Sequence, residues 1–155
     1  MKIYRSNQPF DTTLSFQSFH SSVFLAGPSP RNSETESWRP KAIDILKSLN
    51  YNGCVFAPEP FGGSYEHQLG WELWALQEVE IIVFWIPRYM PKMPGLTTNV
   101  EFGMFLNSGK IIYGRPDDAE HCSYLDWHYK RMTGKNPHND LHELMKEVVS
   151  NQRRQ

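Results

Sequence analysis

A carboxylate at the start of a predicted helix is the side chain of this sequence best placed to do chemistry. Glu101 stands in TTNVEFG, residues 97–103, which directly follows a proline-rich loop. A helix N-terminus favours the ionised form of a nearby carboxylate, and a nucleophile needs that form. The spacing Thr98-x-x-Glu101 also fits a capping box, in which the glutamate only satisfies a backbone N–H. The pattern by itself leaves both interpretations open.

A second carboxylate, Glu72, lies between Trp71 and Trp74 on the preceding helical stretch. Flanking indole rings would desolvate a carboxyl group and raise its pKa, which suits it to donate a proton. If Glu72 projects toward Glu101, the two form the acid and nucleophile pair of retaining glycosyl transfer, in which the carboxyl groups stand about 5 Å apart. The alternative is a solvent-facing glutamate on the helix surface.

Several other catalytic patterns are missing from the sequence. The glycine-containing loop AGPSPRNS lacks the GxGxxG spacing of dinucleotide sites, and no GKS or GKT, HExxH or GxSxG motif occurs. Histidines in the C-terminal third, at 121, 128, 138 and 142, are scattered without a matching cluster of cysteines or carboxylates. We therefore expect no metal site and no organic cofactor.

Alternating apolar runs and helical patterns predict the elements that hold these carboxylates. The predicted strands are residues 22–27, 53–57, 79–86 and 110–114, with an edge strand at 2–5, and the predicted helices are residues 37–49, 66–77, 98–106, 118–132 and 139–150. This β-α-β-α-β-α-β order predicts an α/β fold with a parallel sheet and helices on both faces. Ligands bind such sheets at the carboxyl ends of the strands, so we expect the site in the loops there.

Composition limits the classes of protein that this chain can represent. Its 155 residues, 39% hydrophobic and 21% charged, predict one domain over residues 22–150, preceded by an N-terminal segment (1–21) and followed by a frayed tail (151–155). A net charge of -1 argues against binding a nucleic-acid polymer. The sequence has neither an apolar run long enough for a bilayer nor a secretory leader, so we expect a soluble, cytoplasmic protein with no membrane partner.

Four segments in order resemble a known family. They are VFLAGP at 23–28, WELWALQEVEIIVFWIP at 71–87, TNVEFG at 98–103 and IIYGRP at 111–116. Their order and spacing are similar to the nucleoside 2-deoxyribosyltransferase family, including its branch of nucleoside and nucleotide N-glycosidases. The resemblance spans residues 22–150 and implies a flavodoxin-like, doubly wound sheet. It also implies a homo-oligomer, and exposed aromatics in the loop 87–95 would suit the contact.

The resemblance implies roles for the two carboxylates. Glu101 with Gly103 matches the E-x-G motif of the family's nucleophile, which attacks C1′ of the deoxyribose. Glu72 stands eight residues before the acidic Glu80 and matches the family's acidic partner, with Glu in place of the usual Asp. Glu72 is therefore the expected acid or base of the reaction.

The resemblance also implies a substrate-binding surface. Its candidates are Phe24, where the family often has Tyr, with Gly27, Pro28, Thr98, Asn99 and Gly103. Gly95 stands where an Asp of the family often contacts the base. An aromatic side chain would stack on the base, and the candidates for it are Phe61, Tyr65, Trp85 and Tyr89.

Together these observations predict glycosyl transfer at the N-glycosidic bond of a nucleoside or nucleotide, through a covalent glycosyl intermediate on Glu101. An incoming base would complete a transfer, and water would complete a hydrolysis. The alternative is a catalytically inactive nucleotide-binding or sensing domain of the same fold, favoured by the departures at Phe24 and Gly95. A flavodoxin-like redox module is disfavoured because the fold alone carries no function.

Overall fold

The structure, a computed structural model, describes residues 1–8 and 21–152. Most of the predicted N-terminal segment (9–20) and the end of the predicted tail (153–155) lie outside the described residues. The strands are β1 (Lys2–Arg5), β2 (Ser22–Ala26), β3 (Cys54–Ala57), β4 (Ile81–Trp85) and β5 (Ile111–Gly114). The helices are α1 (Arg39–Ser48), α2 (Tyr65–Glu78), α3 (Leu96–Phe105), α4 (Ser123–Thr133) and α5 (Leu141–Gln152).

The five strands form one parallel sheet in the order β1-β3-β2-β4-β5. β4 pairs with β2 and β5, and all five of its residues are buried, which confirms the prediction of a central strand. Its β-branched and aromatic side chains suit a strand covered on both faces. β1 pairs with β3 from Lys2 opposite Cys54 to Arg5 opposite Ala57, so the predicted edge strand is also confirmed.

Helices cover both faces of the sheet because successive strand residues point to opposite sides. Val23 and Leu25 of β2 pack in one core with α1 and α5, while Phe24 and Ala26 pack in the other with α2, α3 and α4. The fold is therefore the expected doubly wound, flavodoxin-like α/β architecture.

The strand order places a crevice between β2 and β4. From β2 the chain moves outward to β3 and then returns to the other side of β2 as β4, so the direction of winding reverses there. The loops that leave β2 and β4 diverge from such a point and open a ligand-binding crevice between them.

Four predicted helix starts differ from the structure by two residues or more, since α1 begins at Arg39 rather than at residue 37 and α5 at Leu141 rather than at residue 139. α3 begins at Leu96 rather than at Thr98, because Gly95 adopts φ +63° and serves as the N-cap residue. α4 begins at Ser123 rather than at residue 118, because the preceding backbone bonds to a neighbouring loop: Glu120 N–H donates to Arg88 O.

None of the helices in the described ranges is long and apolar enough to span a bilayer. The longest, α2, has 14 residues, whereas a membrane span needs about 20. Cys54 and Cys122 are both free thiols.

Candidate active site

A cavity of about 310 Å³ opens at the carboxyl end of the sheet, where the loops after β2 and β4 diverge. This volume falls in the range of small-molecule sites. Six of the eight predicted site residues line the cavity: Phe24, Gly27, Pro28, Glu72, Thr98 and Glu101. The tertiary fold therefore brings together residues that lie up to 77 positions apart in the chain.

The two carboxylates reach the cavity from different helices. Glu72 lies on α2 and Glu101 on α3, and both helices pack on the same face of the sheet. Gln68, one turn before Glu72, donates from Nε2 to its Oε1 at 2.8 Å. Both glutamates are half-buried and line the cavity, so the solvent-facing alternative for Glu72 is wrong.

Burial changes the protonation of both groups. It raises the pKa of Glu101 to about 7, an effect that the charge of Glu72 increases and the Arg39 guanidinium opposes. Burial also raises the pKa of Glu72, while the hydrogen bond from Gln68 and the charge of Arg39 lower it. A buried carboxyl that titrates near neutral pH can act in proton transfer under physiological conditions.

The predicted effect of the helix N-terminus on Glu101 is wrong. Because α3 begins at Leu96, Glu101 is its sixth residue and lies beyond the first turn, where the dipole acts. The capping box fails for the same reason, since Thr98 lies inside the helix and the N-cap residue is Gly95, which makes no side-chain cap. The pKa of Glu101 is raised by burial rather than lowered by the helix.

Gly27 lets the loop after β2 turn into the cavity wall. Its φ is +148°, and a Cβ there would clash with Trp85 O and lie 2.9 Å from Trp38 Cζ2. The next residue is held in place, because Trp38 Nε1 donates to Pro28 O at 3.1 Å. Pro28 in turn lies against Gly95, where a Cβ would meet the Pro28 Cβ at 3.0 Å.

We expect Gly27→Ala to destabilise the chain by roughly 3 kcal/mol, because it adds backbone strain to an overpacked contact. Urea unfolding measures the change. Gly70→Ala is the matched control: on α2 a Cβ meets nothing within 4 Å, and alanine should stabilise the helix by about 1 kcal/mol. Equal effects of the two substitutions would contradict the assignment of strain to Gly27.

Two predicted substrate-binding residues lie outside the cavity lining. Asn99 is engaged elsewhere, since its Oδ1 accepts a hydrogen bond from Arg88 Nη2. Gly103 is exposed on α3, and a Cβ there would meet nothing within 4 Å. The sequence motif placed both beside Glu101, but the helix turns their positions away from the cavity.

The four stacking candidates separate by burial. Phe61 and Tyr65 line the cavity with exposed rings, so both can contact a ligand. Trp85 is only 6% exposed and packs in the core with α1 and α5, so its prediction is wrong. Tyr89 is exposed but pairs through its backbone with Met93 and does not line the cavity.

Sequence reasoning missed Arg39, which the structure buries in the cavity wall at 2% exposure. Arg39 shares one buried stripe of α1 with Ala42, Ile43 and Leu46, at the spacing i, i+3, i+4 and i+7. A charged residue at an apolar stripe position is the signal that could have found it, because such residues are rarely buried without a partner.

Two of the four histidines in the C-terminal third, His138 and His142, have carboxylate neighbours, contrary to expectation. His138 Nε2 lies 2.6 Å from Glu147 Oε2. Asp140, His142 and Glu143 bring one potential ligand atom each within 4.8 Å of one another, and all three are exposed. Asp140 caps α5, since its Oδ1 accepts from Glu143 N, so the helix start accounts for this grouping.

Comparisons with known proteins identify the family and support the fold. A family model described as "Nucleoside 2-deoxyribosyltransferase like" matches residues 20–119, which include every lining residue of the cavity. A search among curated proteins finds no significant match. Among solved structures, the chain is similar to a conserved protein from Enterococcus faecalis V583, with a TM-score of 0.56 and 8% identity over 84% of this chain and 98% of that one. At this identity the likeness shows the fold alone.

Proposed function

Because the chain belongs to the nucleoside 2-deoxyribosyltransferase-like family, we propose that it breaks the N-glycosidic bond of a nucleoside or nucleotide through a covalent glycosyl intermediate. One observation carries the proposal: two half-buried carboxyls from different helices, Glu72 and Glu101, face one cavity at the carboxyl edge of the sheet. Retaining glycosyl transfer requires such a pair.

In the proposed first step, a carboxylate oxygen of Glu101 attacks C1′ of the sugar. The bond between C1′ and the base nitrogen breaks, its electron pair goes to that nitrogen, and Glu72 supplies a proton to the departing base. In the second step, the nitrogen of an acceptor base or a water oxygen attacks C1′. Glu72 accepts the proton of that nucleophile, and the Glu101 carboxylate is released.

The cavity walls support a nucleoside-sized substrate. Phe61 and Tyr65 offer exposed rings on which a base can stack. Phe24, Gly27 and Pro28 form the wall at the end of β2, on which the sugar would lie. Thr98 lines the cavity one turn before Glu101 on the same helix.

A substrate panel tests the proposal. The protein is incubated with nucleosides and their 5′-monophosphates, with and without an acceptor base, and the products are followed by chromatography. A new nucleoside that forms only with acceptor indicates transfer, and a free base that forms without acceptor indicates hydrolysis. Calorimetry on the same panel provides the contrast: binding with no product would contradict the proposed enzyme and support the nucleotide-sensing alternative.

We also propose that the chain forms a homo-oligomer through the outer face of α2 and α3. Exposed apolar side chains follow helical spacing on both helices: Tyr65, Leu69 and Leu73 on α2, and Leu96, Val100 and Met104 on α3. Rows of exposed apolar side chains of this kind are typical of a protein interface. This face differs from the predicted contact at residues 87–95, where Tyr89 is the one aromatic residue.

Light scattering at micromolar concentration tests this interface. We expect the unmodified chain to have at least twice the monomer mass, and Leu73→Glu with Val100→Glu to reduce it to the monomer, because two charges would be buried in the contact. Met132→Glu, which changes an exposed apolar residue of α4, is the control and should leave the mass unchanged. A monomeric unmodified chain would contradict the proposal.

A further inference from the structure

We propose that Arg39 is a positioning residue of this site: its guanidinium joins the loops after β2 and β3 into one cavity wall and holds a positive charge beside the two carboxylates. The role in catalysis rests on the proposed function. The arrangement itself rests on the hydrogen bonds and the burial of Arg39, which do not depend on the identity of the substrate.

The guanidinium contacts acceptors from the end of β2 and from two separate loops. Nε donates to Leu25 O at 3.0 Å and Nη2 to Gly27 O at 2.7 Å, so both ends of the turn after β2 are bound. Nη1 donates to Ser29 Oγ at 3.0 Å and to Glu59 Oε1 at 2.5 Å. Only arginine has enough donors, in a rigid planar fork, to connect these four acceptors at once.

The neighbouring Trp38 adds a further hydrogen bond to the same loop. Its Nε1 donates to Pro28 O at 3.1 Å, and the Arg39 guanidinium lies over its ring at 4.9 Å from the centroid. Trp38 and Arg39 therefore hold the segment from Leu25 to Ser29 at three backbone carbonyls and at the Ser29 hydroxyl. Gly27 and Pro28, which line the cavity, lie within this held segment.

The charge of Arg39 is costly to bury at this position. Arg39 is 2% exposed and occupies an apolar stripe of α1, where a hydrophobic side chain would avoid the cost of burying an ion. The Glu59 carboxylate offsets part of that cost from the loop after β3. Arg39 also lines the cavity, where its charge interacts with further acidic groups.

Three acidic groups face this charge, each from a different element. Glu59 is its direct partner, and Glu72 on α2 and Glu101 on α3 interact with it through space. Arg31, from the loop after β2, also lines the cavity. Burial disfavours ionisation of Glu72 and Glu101, whereas the nearby cation favours it. Arg39 thus keeps one carboxylate of the pair available as a nucleophile inside a partly dry cavity.

Charge and geometry can be separated with two substitutions. With an activated analogue, whose base departs without a proton from Glu72, only Glu101 must ionise for the attack, so we expect kcat/KM on this analogue to fall below about pH 7. Arg39→Met should move this acid limb upward by about one pH unit, which is a tenfold loss at pH 6. Arg39→Lys should leave the limb within a few tenths of a unit but raise KM about tenfold, because one ammonium cannot hold both loops.

Arg88→Met is the matched control. Arg88 is also a buried arginine, at 4% exposure, but it donates to neutral partners, Asn99 Oδ1 and His121 O, and does not line the cavity. We expect it to lower the melting temperature without moving the acid limb. If Arg39→Met also lowers the melting temperature without moving the acid limb, the proposal is overturned.

Two further measurements keep the test decisive. Glu59→Gln, which leaves Arg39 in place and removes its partner charge, should shift the acid limb downward by several tenths of a pH unit. The carboxyl ¹³C shift of Glu101, followed against pH without substrate, should titrate higher in Arg39→Met than in the unmodified chain. A higher titration point would support the effect of Arg39 on Glu101 even if no substrate is turned over. The absence of turnover would contradict only the proposed function. An unchanged titration would overturn the role of Arg39.

Discussion

Glu101→Gln is expected to abolish turnover and, at the same time, to stabilise the folded chain at alkaline pH. The amide cannot form the glycosyl ester, so every substrate should be affected, and losing a covalent nucleophile costs roughly 10⁴- to 10⁶-fold in other enzymes. The gain in stability arises because the buried carboxylate is unfavourable in the folded state. A glutamate that has no role in catalysis would not lose turnover and gain folding stability together.

The sign of the stability effect follows from the raised pKa. Glu101 has a pKa of about 7 in the folded chain, against an ordinary value of 4.5. Below about pH 4.5 the group is neutral in both states and costs nothing. Between pH 4.5 and 7 the unfolded state loses its proton first, so folding stability falls, and above pH 7 the cost is complete. We expect glutamine to restore on the order of 2 kcal/mol at pH 8.

Urea unfolding at pH 4.5 and pH 8 measures this effect beside the product assay. Glu101→Gln should match the unmodified chain at pH 4.5 and exceed it at pH 8. Glu78→Gln is the control, because Glu78 is an exposed glutamate on α2 outside the cavity, and it should change neither stability nor turnover. Full activity in Glu101→Gln would remove the covalent mechanism. If Glu101→Gln and the unmodified chain were equally stable at pH 8 as well as at pH 4.5, burial would not destabilise the Glu101 carboxylate.

Glu72→Gln is expected to slow the reaction most for poor leaving groups. The proposed role of Glu72 is to protonate the base as the glycosidic bond breaks, and general acid catalysis contributes roughly 10²- to 10⁴-fold. A base that departs readily as an anion needs little of this help. We therefore expect a loss of about 10³-fold on natural nucleosides and less than tenfold on an activated analogue.

The comparison is made at one pH and one protein concentration, with Glu101→Gln and Glu78→Gln alongside. Glu101→Gln should suppress all leaving groups alike, because no intermediate forms without its carboxylate. Equal losses for Glu72→Gln on every leaving group would exclude the acid role and leave Glu72 as a positioning residue. Its hydrogen bond from Gln68 would then be the contact to examine, through Gln68→Ala.

The secondary structure and its order were predictable because they depend on local patterns. Short β-branched runs such as IIVFW (81–85) suit buried strands, and the apolar repeat of α2 suits a helix. The start of α3 was less predictable. Thr98 and Glu101 fit the capping pattern, which predicts Thr98 as the N-cap residue. The N-cap residue is instead Gly95, three positions earlier, which adopts a positive φ.

The sequence by itself determined the parallel α/β order, the two glutamates and the loops that carry them, since residue type and spacing are local properties. Only the tertiary structure decided how these groups behave. It buried Glu101 and raised its pKa, engaged Asn99 with Arg88, and placed Arg39 between two loops that lie some thirty positions apart. Burial and electrostatic coupling depend on which distant segments pack around a side chain, and a linear sequence does not state those distances.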